Sequence, residues 1–336
     1  MKRIYVTFLT FVFAILIKAG FPVSAGFEAA TQQAQISQDE SSVEIREVRI
    51  PVSVINKKKI PITDLSANDF SIYEDKKQQQ VTGFFAFSDD KNSQPLYIAM
   101  LIDTSTSTAG KISFERDAAQ NFIHTVARLR KDFFSLVTFD HEINLRQDFT
   151  TNLGLIDKAI DKIKEPGRQT ALYDAVWQTC DEKMRYSPGR RAIVIITDGD
   201  DTYSRARLNE AIDIAQRTET TIFAISTKAG FSGTVPGVEA GTVSDRGDRD
   251  LEKMCEETGG TTFFTGDVLS LERSFKNIAS ALRTQYLITY KPANDRYDGS
   301  YRKIEVKLSN GQKGLKVLAK SGYLAVAEKK VKTSGQ

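Results

Sequence analysis

The spacing of apolar residues changes twice along the chain. In the first segment apolar and polar positions alternate, which predicts strands with one buried face. These strands are expected at Val48–Val54, Phe70–Tyr73 and Val81–Phe87. Pro51 cannot donate a ladder hydrogen bond, so the first strand is expected at a sheet edge or at a bulge.

The same alternation returns after Arg283. It predicts strands at Tyr286–Tyr290, Ile304–Leu308 and Leu315–Val317, with turn residues between them. A few strands alone bury too little surface to be stable. We therefore expect the two segments, residues 43–94 and 284–325, to pair into one small β-sandwich.

The region between them, residues 95–283, alternates continuous apolar runs with helical patterns. The runs predict strands at Leu96–Ile102, Phe133–Phe139, Asn144–Gln147, Ala192–Thr197, Thr221–Ser226 and Thr261–Phe264. Helices are predicted at Ile112–Arg130, Leu153–Lys164, Leu172–Met184, Leu208–Arg217, Asp250–Glu257 and Leu271–Leu282. This alternation is typical of an α/β fold, a doubly wound and mostly parallel six-stranded sheet, here of order 3-2-1-4-5-6 and inserted in the sandwich. The third strand follows a short turn and is expected to be an antiparallel edge strand.

Five oxygen-bearing side chains follow or flank these strands. Asp103, Ser105 and Ser107 follow the first strand, Thr170 precedes a helix, and Asp198 closes the fourth strand. Because parallel strands end at one edge, where open α/β sheets place ligands, these groups are expected to meet there. Carboxylates beside hydroxyls suit a hard cation such as Mg²⁺, or Mn²⁺ or Ca²⁺.

Each of these residues also has a purely structural interpretation. Ser105, Ser107 and Thr170 can cap the helices that follow them, and Asp103 and Asp198 can face water. Jointly these interpretations are weak, because two carboxylates at one crevice repel each other and favour a cation between them.

The D-x-S-x-S motif, the distant Thr170 and the T-D-G at Thr197–Gly199 resemble the metal-ion-dependent adhesion site (MIDAS) of von Willebrand factor type A domains. The resemblance covers roughly Pro95 to Arg283. It implies that the three hydroxyls bind the ion, that the two aspartates act directly or through water, and that one coordination position stays open for an acidic group of a partner. The flanking segments LSANDFSIYED and YRKIEVKLSNGQKGLKVLAKSGY are similar to a bacterial group of VWFA-related proteins.

Enzyme motifs are missing from the sequence. It contains no G-x-x-x-x-G-K-S/T, G-x-G-x-x-G or G-x-S-x-G. Ser105 stands where haloacid-dehalogenase-like phosphatases carry their acid–base carboxylate, and the two histidines, His124 and His141, are too far apart for a zinc hydrolase motif. A net charge of +3 and scattered basic residues do not indicate nucleic-acid binding. We expect a non-enzymatic module that binds an exposed Asp or Glu of a protein partner; the alternative is a structural or envelope-assembly component whose metal only stabilises the fold.

The N-terminus has the pattern of a secretory signal. Lys2 and Arg3 precede the apolar stretch Ile4–Ile17, and Ala25 ends a cleavable small-residue sequence. A transmembrane anchor is the alternative, but such a helix needs about 20 apolar residues. We expect residues 1–25 to be removed, 26–42 to form a flexible lead-in, 326–336 to be a disordered tail, and the protein to be periplasmic or extracellular without stable membrane insertion.

Two further expectations follow from the predicted sheet. Cys180 and Cys255 fall in helices on one face, separated by the helix Leu208–Arg217. Neighbouring helix axes are about 8–10 Å apart, whereas a disulfide needs Cα atoms within about 7 Å, so the cysteines are expected not to be bonded. The glycine-rich segment Ala229–Arg249 emerges at the metal edge and is either a partner-contacting loop or disordered.

Overall fold

The computed structural model describes residues 47–87, 94–106, 112–163, 167–197, 199–227, 246–264, 268–309 and 314–326. The strands are β1 Val48–Asn56, β2 Phe70–Glu74, β3 Lys77–Gln79, β4 Val81–Ala86, β5 Leu96–Asp103, β6 Phe133–Phe139, β7 Ile143–Thr150, β8 Arg190–Thr197, β9 Thr220–Ser226, β10 Thr262–Phe264, β11 Tyr286–Tyr290, β12 Tyr301–Leu308, β13 Leu315–Ala319 and β14 Gly322–Leu324. The helices are α1 Ile112–Val126, α2 Leu153–Asp161, α3 Leu172–Glu182, α4 Leu208–Arg217, α5 Arg246–Glu257 and α6 Val268–Arg283.

Strands β5 to β10 form a six-stranded sheet of order β7-β6-β5-β8-β9-β10. All neighbours are parallel except β6 and β7. The predicted strand order and the antiparallel edge strand are both confirmed. Along β8 the side chains alternate between two cores: Val194 packs with α1, α2 and α6, and Ile195 packs with α3, α4 and α5. This two-sided burial explains why the strand is a continuous apolar run.

The two flanks form two four-stranded sheets, of order β13-β1-β11-β4 and β14-β12-β2-β3. Each sheet contains strands from both flanks, and one hydrophobic core lies between them, with Ile50, Ile72, Ile288 and Ile304 among its members. The predicted sandwich with an inserted α/β sheet is therefore confirmed. Strands β3 and β14 are missing from the prediction, since three residues are too few to show a period.

Strand β1 corrects one expectation. It lies inside its sheet between β13 and β11, so the prediction of an edge strand is wrong. Pro51 pairs with Leu287 of β11, while the pairing with β13 begins only at Val52. The proline thus occupies the half of the strand that has a single neighbour, which is where a residue without an N–H is tolerated.

The first helix is shorter than predicted. It ends at Val126, and Leu129, which the prediction included in the helix, is 77% exposed. The Asp132 carboxylate accepts a hydrogen bond from the Arg128 backbone N–H at 3.0 Å, and Arg130 has a φ of 64°. A left-handed residue cannot continue the helix, so the chain turns into β6. No helix among the described residues has the length and apolar character needed to cross a membrane.

The two cysteines are free and fully buried, as expected from the strand order. Helix α4 packs between α3, which carries Cys180, and α5, which carries Cys255. Burial raises the pKa of each thiol to about 12, so almost no reactive thiolate forms at neutral pH.

Thiol labelling is expected to give two sulfhydryls per chain after unfolding without reductant. In the native protein the same reagent should react far more slowly, because both thiols are buried and protonated. A cross-linked peptide joining Cys180 and Cys255 in mass spectrometry would contradict this arrangement.

A buried carboxylate links the two sheets of the sandwich. The Glu74 side chain accepts hydrogen bonds from the Tyr290 hydroxyl at 2.6 Å and from the Tyr323 hydroxyl at 3.0 Å. Burial and the bond to Glu74 raise the pKa of the Tyr290 phenol, which keeps it protonated as a donor.

Tyr290→Phe should therefore lower the free energy of unfolding by about 1.5–3 kcal/mol, the range for a hydrogen bond to a charged group. Urea unfolding measures this change. Tyr301→Phe is the matched control, since its hydroxyl is 3.0 Å from the Ser321 hydroxyl and the residue is 45% exposed. Equal effects of the two substitutions would contradict a stabilising role of the buried carboxylate.

Candidate metal centre

Three parallel strands end together at one edge of the six-stranded sheet. Strand β5 ends in Asp103, β6 is followed by Asp140, and β8 ends in Thr197. Asp103, Ser105 and Thr197 are all buried. Polar side chains thus gather where these strands end, and those of Asp103 and Thr197 are hydrogen-bonded to each other.

The carboxylate of Asp103 is held from both sides and is 0% exposed. Its Oδ1 accepts a hydrogen bond from the Ser105 backbone N–H at 2.9 Å, and its Oδ2 accepts one from the Thr197 hydroxyl at 2.6 Å. The Thr197 Oγ1 in turn accepts from the Gly199 N–H at 3.0 Å. These bonds fix the orientation of the carboxylate, as partners of metal ligands commonly do.

The segment that carries Thr170 lies against the ends of β5 and β6. Gly167 donates its N–H to the Thr104 carbonyl at 2.6 Å and accepts from the Thr106 hydroxyl at 2.5 Å. Ala171 donates its N–H to the Asp140 carbonyl at 2.7 Å. These bonds bring the buried Thr170 to the edge that holds Asp103.

The backbone of Thr170 is fixed by the loop that follows β8. Its carbonyl accepts from the N–H groups of Thr202 at 2.9 Å and Tyr203 at 3.0 Å, and its N–H donates to the Thr202 hydroxyl at 3.0 Å. Within the described part of the chain the Thr170 hydroxyl itself makes no hydrogen bond. The N-cap of α3 is Ala171, which has no side-chain cap, so the capping interpretation of Thr170 is wrong.

Two glycines allow these loops to approach each other. A Cβ at Gly167 would overlap the Asp140 carboxylate. Gly199 has a φ of +92°, a left-handed conformation, and faces Gly247 at the start of α5. The glycine of the T-D-G motif is therefore required by the backbone of the site.

Of the five predicted ligands, the structure places Asp103, Ser105 and Thr170 in one buried set of loops. Ser107 and Asp198 lie outside the described residues. So do residues 229–245 of the segment predicted to be a partner-contacting or disordered loop. Their assignment as ligands or contacts stays a prediction. Asp201 has a local role, since it accepts hydrogen bonds from the Tyr173 N–H and the Ser204 hydroxyl, and burial raises its pKa.

Sequence reasoning missed three residues that support the site. Thr197 orients the Asp103 carboxylate, Thr202 binds the Thr170 N–H, and Asp140 anchors the Thr170 loop through its carbonyl. The sequence did contain an indication for Thr197, because it is the first residue of T-D-G and directly follows an apolar run. It contained no such indication for Thr202 and Asp140, since their roles depend on contacts between loops that are distant in the sequence.

The oxygens at this edge fit a divalent cation. Asp103 supplies a carboxylate, and Ser105 and Thr170 carry hydroxyls, a set that suits a hard ion. No cluster of three or more His, Cys, Asp or Glu side chains suited to a metal occurs within the described residues.

A family comparison decides the identity of this region. Residues 98–200 match the family model of the von Willebrand factor type A domain, a span that contains all five predicted ligand positions. The chain contains a von Willebrand factor type A domain. Its described elements, a six-stranded sheet with helices on both faces, are the architecture predicted from the resemblance.

Solved structures with similar folds come from bacteria and from a mussel. The conserved hypothetical protein BatB of Bacteroides thetaiotaomicron is 13% identical with a TM-score of 0.43, and the alignment covers 56% of this chain and 100% of BatB. The von Willebrand factor domain of the type V pili tip protein of Porphyromonas gingivalis is 14% identical with a TM-score of 0.44, over 56% of this chain and 95% of that domain. A proximal thread matrix protein of the mussel byssus, with a zinc-occupied MIDAS motif, is 15% identical with a TM-score of 0.46, over 62% of this chain and 50% of that protein. No curated protein matches the sequence.

Proposed function

We propose that the chain is an exported, non-enzymatic protein-binding module whose type A domain holds a divalent cation at the edge of its sheet. The observation that carries the proposal is the assembly of Asp103 and Ser105, at the end of β5, with Thr170, from a separate loop, into one buried and oxygen-rich edge. Mg²⁺, or Mn²⁺ or Ca²⁺ in its place, is the class of ion that such oxygens bind. Ser107 and Asp198 are proposed to complete the ligand set.

The proposed partner is a protein that presents an exposed Asp or Glu. A bound cation with one open coordination position would be coordinated there by that carboxylate. The loop beside Thr170 carries Tyr203, which is 51% exposed and lies with its ring 6.5 Å from the ring of His141. Tyrosine is one of the residues that most often contribute a large part of the binding energy in protein interfaces. We propose that Tyr203 contacts the partner around its acidic group.

Partner capture from the envelope and secreted fractions of the native organism tests this function. Capture in Mg²⁺ should be lost in chelator, and lost with Asp103→Ala, while the circular dichroism spectrum stays native. Tyr203→Ser and Thr170→Ala should weaken capture more than they weaken ion binding. Capture that survives chelator, or a fold that collapses without the ion, would instead support a metal that only stabilises the structure.

Export is the second part of the proposal and has its own test. The predicted signal, residues 1–25, lies outside the described residues. N-terminal sequencing of the protein recovered outside the cytoplasm should begin at Gly26. Recovery of an uncleaved chain from the membrane fraction would contradict export in a soluble form.

A further inference from the structure

A small cavity lies at the edge of the six-stranded sheet opposite the candidate metal centre. It is formed where β8 and β9 begin and where β1 and the start of β11 pack against them. The centre of a water molecule can move over about 30 Å³ inside it. Roughly 10–15 Å³ of such space holds one water molecule, so the cavity accommodates a small ion or a pair of waters.

Positive charge exceeds negative charge around this cavity. Among the described residues that line it are the three arginines Arg49, Arg190 and Arg191, whereas Glu219 is the single acidic residue. The Glu219 carboxylate lies 3.6 Å from the Arg49 Nε. The nearby Asp132 carboxylate is bound by the Arg128 guanidinium, with an Nη2–Oδ1 distance of 2.8 Å. The acidic groups described here are therefore engaged by arginines other than Arg190.

Arg190 is held by neutral groups. Its Nη2 donates to the Leu282 carbonyl and to the Gln285 Oε1 at 2.6 Å, and its guanidinium lies 4.2 Å from the centre of the Phe87 ring. Burial lowers the pKa of Arg190 to about 9, with Arg128 and Arg283 acting in the same direction and Asp132 against them. The guanidinium therefore keeps its charge at neutral pH in a part-buried site. A charge that is partly withdrawn from water without an opposite charge beside it is costly.

Two buried donors in the lining also lack a hydrogen-bond partner among the described residues. They are the Nε2 of Gln285, a residue that is 3% exposed, and the Nε of Arg49, which faces the Glu219 carboxylate at 3.6 Å, beyond hydrogen-bond distance. The orientation of the Gln285 amide is forced, because a guanidinium has only donors and must face the Oε1. The Nε2 is then left without a described acceptor. An amide donor without an acceptor and a guanidinium with only neutral hydrogen-bond partners therefore both favour an anionic ligand in this cavity.

We infer that this cavity binds a small inorganic anion of about the size of chloride, held by Arg190 and the Gln285 amide. The space excludes large organic anions. Arg49 belongs to the sandwich, Gln285 directly precedes β11, and Arg190 begins β8 of the type A domain. The anion would therefore tie the inserted domain to the sandwich, independently of the metal edge.

Thermal unfolding of the mature protein in sodium chloride and in sodium gluconate of equal ionic strength tests this site. The wild-type midpoint should be higher in chloride by about 2 °C or more, as expected for a ligand that binds only the native state. Gln285→Glu places a carboxylate beside Arg190, so it should raise the midpoint in gluconate and abolish the chloride effect. Arg116→Gln, which removes a surface cation that pairs with Asp161, should leave the chloride effect unchanged. A chloride effect of equal size in Gln285→Glu would overturn the proposal.

Crystals grown in bromide provide the direct measurement. An anomalous peak between Arg190 and Gln285 is expected in the wild type and should vanish in Gln285→Glu. Residues 88–93, which lie outside the described ranges, include Asp89 and Asp90. If one of these carboxylates occupies the cavity, the wild type will show neither the midpoint shift nor the peak, and a double Asp89→Asn, Asp90→Asn variant will acquire both. That outcome would replace the anion by an internal ion pair.

Discussion

Asp103→Ala is expected to abolish the binding of Mg²⁺ or Mn²⁺ in calorimetric titration while the circular dichroism spectrum stays native. The substitution removes the one predicted carboxylate ligand that lies among the described residues, which the Ser105 N–H and the Thr197 hydroxyl hold in place at 2.9 and 2.6 Å. Its affinity loss should exceed the roughly 10–100-fold that follows the loss of a residue that only orients a metal ligand. Thr197→Val removes such an orienting hydroxyl at nearly constant volume and should fall within that range.

The controls for this experiment separate metal binding from stability. Asp161→Ala removes a surface carboxylate that pairs with Arg116 and should leave the titration unchanged. Asp103→Asn keeps an acceptor for the Ser105 N–H but removes the charge, so it should also lose the ion. Undiminished binding in both Asp103 variants would refute the assignment of Asp103 as a ligand.

Deleting residues 26–90 is expected to unfold the remaining sandwich and to cause aggregation or strong binding of a hydrophobic dye. The deletion removes β1 to β4, so β11 loses both of its neighbours and β12 loses β2. Buried side chains such as Tyr286, Ile288 and Ile304 then face water. Each large side chain contributes roughly 1.5–3 kcal/mol when fully buried, and the truncated sandwich has no replacement for these contacts.

The inserted region provides the contrasting fragment. Residues 95–283 contain both hydrophobic cores of the six-stranded sheet, which are built from β5 to β10 and α1 to α6. This fragment should stay soluble and monomeric in gel filtration. A well-behaved chain that lacks only residues 26–90 would show that the two flanks fold separately, contrary to the shared core.

Strong local patterns made most of the fold predictable. The apolar runs of β5 and β8 identified buried parallel strands, and the short turn after β6 identified β7 as antiparallel. Helix ends were less predictable, because the end of α1 depends on a side chain, Asp132, that binds the backbone of Arg128. The spacing of apolar residues predicts a helix that continues past Leu129, because this spacing contains no information about a competing hydrogen bond.

The metal centre and the cavity around Arg190 also differ in how far the sequence predicts them. The motif residues Asp103, Ser105 and Thr170 stand at recognisable positions beside strands, so the sequence predicted them. The cavity around Arg190 has no motif, because its lining comes from Arg49, Phe87 and Gln285, which are distant in the sequence. Only the assembled fold shows that one arginine there is paired with neutral groups.

The insertion of one domain within another also determines the order in which the protein can fold. Glu74 and Tyr290, which are hydrogen-bonded in the sandwich, are 216 residues apart in the chain. The entropic cost of closing a loop rises with its length, and the folded inserted domain shortens this loop because the Phe87 N–H then reaches the Gln285 carbonyl at 3.1 Å. The sandwich is therefore expected to form last, as a slow phase in refolding. During synthesis β1 and β4 have no neighbouring strand until β11 has been made, because both pair with strands of the C-terminal flank. This is the period in which the protein is most exposed to aggregation.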